Sequence, residues 1–241
     1  MIKSQSFNAA RAVKLQAALW AVMSFALFYI MLSSAKFGYA CAVGLFAAAL
    51  YYYNKNISLL VGFALAAAVR DFSLYMLFSV ALPAAAIFLG RLALKKHSTP
   101  LRLCLIVVLS RLTLFFAGSD AQVTAILIEI FVSALFFLIS VNALKAPVLR
   151  GIKNNVSVDE TVCIAALALA LYAGLYGMTI FGFKIYLTFA SFTLLVSLFV
   201  FTLSFSLGYG LIIGAAVCLL SANPAHLGVF AMYALAANVF K

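Results

Sequence analysis

The sequence predicts an all-α fold: a polytopic transmembrane helix bundle of about ten helices, eight being the lower bound. Three observations carry this. Hydrophobic residues make up 68% of the 241 positions and charged residues only 9%, against about a quarter charged in a typical soluble domain. The mean hydropathy is +1.21. The apolar stretches are long and do not alternate, which selects helices over a β-barrel. A soluble chain of this composition lacks the polar groups to cover itself. A bilayer removes that demand, because lipid becomes the solvent.

The segments fall at 15–35, 37–53, 57–69, 72–90, 101–117, 122–143, 161–177, 185–203, 207–221 and 226–240, forming a single transmembrane domain over 1–241 with no soluble domain. Lys3, Arg11 and Lys14 precede the first in the charge order of a signal peptide. The apolar run that follows, to Leu32, is too long for a signal h-region and reads as a retained helix. Tyr51, Tyr52 and Tyr53 before Asn54-Lys55 fit an interfacial aromatic anchor. The third segment, about 20 Å long, is short for a span and fits a half-helix or a tilted crossing of thin membrane. Arg70-Asp71 marks the turn after it.

Loop charges test this count. With ten spans and a cytoplasmic N-terminus, twelve of the sixteen basic residues fall inside and three (Lys36, Arg70, Lys184) outside, with Arg111 left in a span. That asymmetry follows the positive-inside pattern and places a multi-pass protein in the cell membrane with both termini cytoplasmic. Merging 57–90 into one span would put the basic loops 91–102 and 145–153 outside, so two helices are kept there. The net charge of +11 is then a matter of topology and of the anionic leaflet, and nucleic acid is not an expected partner.

Only five acids are present: Asp71, Asp120, Glu129, Asp159 and Glu160. Ser157-Val-Asp-Glu160 is a capping box for the seventh helix, and both of its acids complement the helix dipole. Arg111 and Glu129 are the charges placed deep in the membrane. They flank the turn Gly118-Ser119-Asp120, each roughly 10–13 Å below it at the α-helical rise. Adjacent antiparallel helices can pair them, either as a structural join between two helices or as a proton or substrate relay.

Gly210-Leu-Ile-Ile-Gly214 is a small-residue packing motif, for use within the fold or between subunits. Asn223-Pro224-Ala225 invites comparison with aquaporin half-helices. A single copy without an inverted repeat reads instead as an N-cap with proline at N1. His97 and His226 have no metal-ligand partner at helical spacing. Cys41, Cys104, Cys163 and Cys218 form no C-x-x-C pair and read as apolar packing residues. No phosphate-binding loop, zinc-protease helix or nucleophile elbow occurs, so neither a catalytic site nor a cofactor is expected.

The order of features in 145–241 resembles the N-terminal membrane region of the stage II sporulation protein E family. The residues that carry the likeness are the basic loop with Lys145, Arg150 and Lys153, the Asp159-Glu160 helix opening and the Gly174-Leu-Tyr-Gly177 turn. They continue with Gly208-Tyr-Gly210-Leu-Ile-Ile-Gly214-Ala-Ala, then Ser221-Ala-Asn-Pro224-Ala, and a last small-residue helix to Phe240-Lys241. The resemblance implies a bacterial membrane anchor for a metal-dependent serine/threonine phosphatase that acts in sporulation and associates with the division septum. The clustered aspartates of such a phosphatase are not in this chain, so no activity carries over to its residues. The stop just after the last apolar helix predicts continuation into a cytoplasmic domain. The partners implied are the lipid bilayer, a second copy of the chain and, through the resemblance, cell-division proteins. The competing expectation is a transporter subunit that binds a small molecule such as a vitamin. Subunits of that kind have about six helices and a polar-aromatic pocket on the outer side.

Overall fold

The computed structural model describes residues 2–34, 37–53, 57–94, 99–116, 123–145, 148–149, 157–180, 182–200, 203–223 and 225–239. The side chains of 2–15, 180, 196–200, 203–206, 220 and 237–239 lie outside that description. The described residues form ten helices and one two-residue hairpin, so the protein is all-α. In chain order the helices are α1 (Ile2–Leu32), α2 (Gly38–Tyr52), α3 (Ile57–Arg70), α4 (Leu74–Leu94), α5 (Pro100–Arg111), α6 (Val123–Lys145), α7 (Val158–Leu175), α8 (Ile185–Val200), α9 (Leu203–Ser221) and α10 (Ala225–Val239). Three helices, α4, α6 and α7, are long and apolar enough to cross a membrane; six further apolar helical stretches are shorter.

Departures from the sequence reading are local. Helix α1 begins at Ile2, because nothing before residue 15 breaks a helix, and its 31 residues run for about 46 Å. Helix α4 starts at Leu74, where the Ser73 hydroxyl accepts from the Met76 amide. It passes through a π-helical segment, Leu77–Ala81, and continues to Leu94, so Arg91 belongs to a helix and not to a loop. Helix α5 tightens into a 3₁₀ segment, Leu112–Phe116. Strands β1 (Thr179–Ile180) and β2 (Phe183–Lys184) pair antiparallel between α7 and α8, and Gly182 turns the chain there at φ +82°.

The chain divides into two compact units. The first comprises Met1–Leu32 and Tyr39–Val141, and helices α1 to α6 supply it. Helix α2 is its centre: every residue from 42 to 50 is buried, as expected of a helix that is apolar all round. Phe28, Phe46 and Phe63 from α1, α2 and α3 close on one another with ring centroids 4.6–5.9 Å apart. Helix α3 lies along α1 because Gly62 presents no side chain; a Cβ there would fall 2.7 Å from the Ala21 carbonyl oxygen. At its C-terminal end α2 is tied down by three contacts. The Tyr52 hydroxyl donates to the Val141 carbonyl at 2.8 Å, Tyr53 packs on Trp20, and Arg91 binds the last turn.

The second unit comprises Ser33–Gly38 and Asn142–Lys241, and α7 to α10 supply it. Its closest helix pair is α9 on α10. A Cβ at Gly210 would meet the Ala234 Cβ at 2.7 Å, and one at Gly214 would meet the Leu227 backbone at 3.0 Å. The small residues of the G-x-x-x-G motif thus face α10 within the chain. The Tyr172 and Thr193 hydroxyls hydrogen-bond at 2.6 Å and join α7 to α8.

Candidate functional site: a buried polar network in the first unit

A buried backbone carbonyl released from its helical hydrogen bond needs another donor. Two carbonyls of the π-helical segment of α4 find theirs on α5 and the 3₁₀ segment that continues it. Arg111 Nη1 donates to the Ser79 carbonyl, and the Thr113 hydroxyl donates to the Phe78 carbonyl at 2.7 Å. Thr113 lies in the 3₁₀ segment that continues α5, so this bond joins the two irregular segments. Irregular turns of this kind recur at functional sites.

Arg111 is fully buried, and its second arm meets the acid anticipated in the sequence. Nη2 lies 2.6 Å from Glu129 Oε2, with Glu129 19% exposed. The remaining carboxylate oxygen, Oε1, accepts from the Tyr75 hydroxyl at 2.8 Å. Both oxygens of Glu129 are therefore engaged, and three helices, α4, α5 and α6, meet at one carboxylate. Tyr75 also packs on the apolar cluster Leu114, Ile126 and Ile130. Its ring stands edge-on to Tyr39, whose hydroxyl reaches Asp71 Oδ2 at 3.4 Å; the Ser73 hydroxyl donates to the same oxygen at 2.9 Å. Polar and aromatic groups thus run from the α3–α4 turn down to Arg111. Arg111 Nε and Ser79 Oγ are buried there without a hydrogen-bond partner among the described residues.

Arg91 is a second buried cation that the loop-charge argument did not anticipate. It is 8% exposed. Its Nε and Nη2 donate to the Leu50 and Tyr51 carbonyls at 3.3 and 3.1 Å, and its guanidinium lies over the Tyr51 ring. These are carbonyls that the last turn of α2 leaves open, and a cation there also complements the helix dipole.

The other sequence candidates are placed as follows. Ser157 and Glu160 form the reciprocal capping box of α7. Asn223 Oδ1 accepts from the Ala225 amide at 3.0 Å at the start of α10, and Pro224 lies outside the described residues. Gly210 and Gly214 pack against α10, as given above. The four cysteines are free, and no group of three metal-ligating side chains occurs among the described residues. Tyr75, Tyr39, Ser79 and Thr113 carried no signal in the sequence. No family model, curated protein or solved structure matches the chain.

Proposed function

We propose that the chain is a multi-pass integral membrane protein of the cell membrane, with both termini cytoplasmic, that serves as a non-catalytic anchor and localisation domain. One observation supports this best: Arg111, Glu129 and Arg91 are each engaged in joining one helix to another. Both oxygens of Glu129 are bound across helices, one by Arg111 and one by Tyr75, which supports a structural join. The likeness of 145–241 to the sporulation phosphatase membrane region extends the reading to a bacterial division septum, with cell-division proteins and a second copy of the chain as partners.

A second reading is favoured by a specific feature. The first unit holds six helices and a polar-aromatic cluster, Tyr39, Tyr75, Asp71 and Glu129, near the α3–α4 turn. That is the make-up expected of a vitamin-binding transporter subunit.

One experiment separates the readings. The purified chain is assayed for Mn²⁺-dependent phosphatase turnover and screened by thermal shift against vitamins and nucleosides. The anchor reading expects neither turnover nor a shift. Metal-dependent turnover would refute it, and a tight shift with one compound would replace it with the transporter reading.

A further inference from the structure

Pro83 lies in the interior of α4 and has no amide hydrogen to donate. In the α-helical pattern the amide of residue 83 would bond to the Ser79 carbonyl. In the π pattern, which Leu82 follows by donating to the Leu77 carbonyl, it would bond to Phe78. Those are the two carbonyls that Arg111 and Thr113 take up from outside the helix. A proline beside a π turn, with its orphaned carbonyls satisfied by a neighbouring helix, is a joint. It divides α4 into an N-terminal arm, 74–82, and a stem, 83–94.

Three features equip the arm to move about this joint. The first is its tie: the Tyr75 hydroxyl donates to Glu129 Oε1 at 2.8 Å, while the bonds from Arg111 and Thr113 lie beside the joint and can persist through a swing. The second is a replacement donor for that oxygen. Arg111 Nε is buried with no hydrogen-bond partner among the described residues, and it belongs to the guanidinium whose Nη2 already holds Glu129 Oε2. With Tyr75 gone, the pair can close into the two-armed fork that arginine and carboxylate favour, so no buried charge is stranded. The third is room. A groove of about 620 Å³ separates the arm from α3, lined by Ala64 and Ala68 on α3 and by Met76, Leu77, Val80 and Ala81 on the arm. Closing it brings apolar surface against apolar surface. A swing of about 20° at Pro83 carries Leu74, about 14 Å along the helix, through about 5 Å, enough to part Tyr75 from Glu129.

We propose that the N-terminal arm of α4 is a two-position strap: Tyr75 latches it to Glu129, and on release it swings about Pro83 to close the groove on α3, with Arg111 Nε taking the freed carboxylate oxygen. Cysteine pairs in the full chain, purified in detergent without its four native cysteines, read the motion. Ala68→Cys with Leu77→Cys spans the groove at the arm. Leu60→Cys with Ala85→Cys spans it in the same antiparallel register but on the stem. Tyr75→Phe should speed disulfide formation in the arm pair by at least about tenfold, the population change for one lost hydrogen bond to a charged acceptor. The stem pair should keep its rate. Pro83→Ala restores an amide for the Ser79 carbonyl, stiffens the joint and should slow the arm pair. In the oxidised arm pair, with isotope-labelled arginine, the Arg111 Nε–H proton resonance should move downfield as it gains a carboxylate acceptor. Equal acceleration of both pairs by Tyr75→Phe would mean general loosening and overturn the proposal. So would an unchanged arm-pair rate in that variant, a faster one in Pro83→Ala, or an Arg111 resonance that stays in place. Where Tyr75→Phe fails to fold, the Pro83→Ala rate and the Arg111 resonance still decide.

Discussion

Arg111 is held at two points, and that decides how its variants should behave. Removing Glu129 leaves a fully buried guanidinium with only the Ser79 carbonyl, so Glu129→Ala is expected to destabilise the protein by about 3 kcal/mol, at the low end for a broken buried pair because Glu129 is 19% exposed. Exchanging the two residues restores opposite charges but not the second arm of the arginine, nor the Tyr75 bond in its present place. The swapped double variant should therefore recover only part of that loss. Tyr75→Phe removes one hydrogen bond to a charged acceptor and should cost about 1.5–3 kcal/mol. Unfolding of the detergent-solubilised variants measures all three. Full recovery by the swap would show that the Ser79 and Tyr75 contacts contribute nothing. The Arg111–Glu129 pairing was legible in the sequence, because two charges at equal depth on neighbouring helices have few alternatives to each other. Tyr75 was not, because a tyrosine near a helix end looks the same whether its hydroxyl faces headgroups or a carboxylate 54 residues away.

At the scale of elements, small residues matter only where a neighbour's backbone stands behind them. Gly62 and Gly214 face backbone at 2.7 and 3.0 Å from a would-be Cβ, whereas Gly228, also in a helix, has open space. Gly62→Ala and Gly214→Ala should each cost about 1–3 kcal/mol by overpacking. Gly228→Ala should be neutral, or stabilising by up to about 1 kcal/mol through helix propensity. Thermal melts of the three variants, compared side by side, check the contrast; equal effects would contradict the packing described. Each helix overlaps an apolar run that the sequence marked off with polar or turn residues, which is why all ten were legible even where their ends, such as Ile2 and Leu94, were not. The π and 3₁₀ segments were not, since the π segment's carbonyls are met by side chains of Arg111 and Thr113, some 32 to 35 residues away in the chain. Arg91 misled for a related reason. Beside Lys95 and Lys96 it reads as loop charge, yet the helix runs on past it and its head finds the open carbonyls of α2.

For the whole molecule, orientation turns on whether 57–94 is one crossing or two. The structure breaks that stretch at 71–73, with α3 only 14 residues and about 21 Å long, well short of a hydrocarbon core about 30 Å thick. Such a helix crosses only where the bilayer thins or the flanking residues snorkel. A hairpin of two crossings and a re-entrant pair both return the chain to its starting side, so both keep Lys145 on the side of the N-terminus. A single crossing reverses it. Accessible cysteines at Phe72 and Lys145, in a background lacking Cys41, Cys104, Cys163 and Cys218, distinguish all three arrangements. With two crossings, an impermeant maleimide should label the Phe72→Cys variant in intact cells and the Lys145→Cys variant only after permeabilisation. Labelling at neither stage for Phe72→Cys, with Lys145→Cys still protected in intact cells, would identify a re-entrant pair. Labelling of Lys145→Cys in intact cells would invert the molecule. The basic loops would then lie outside, against the charge asymmetry on which the orientation rests.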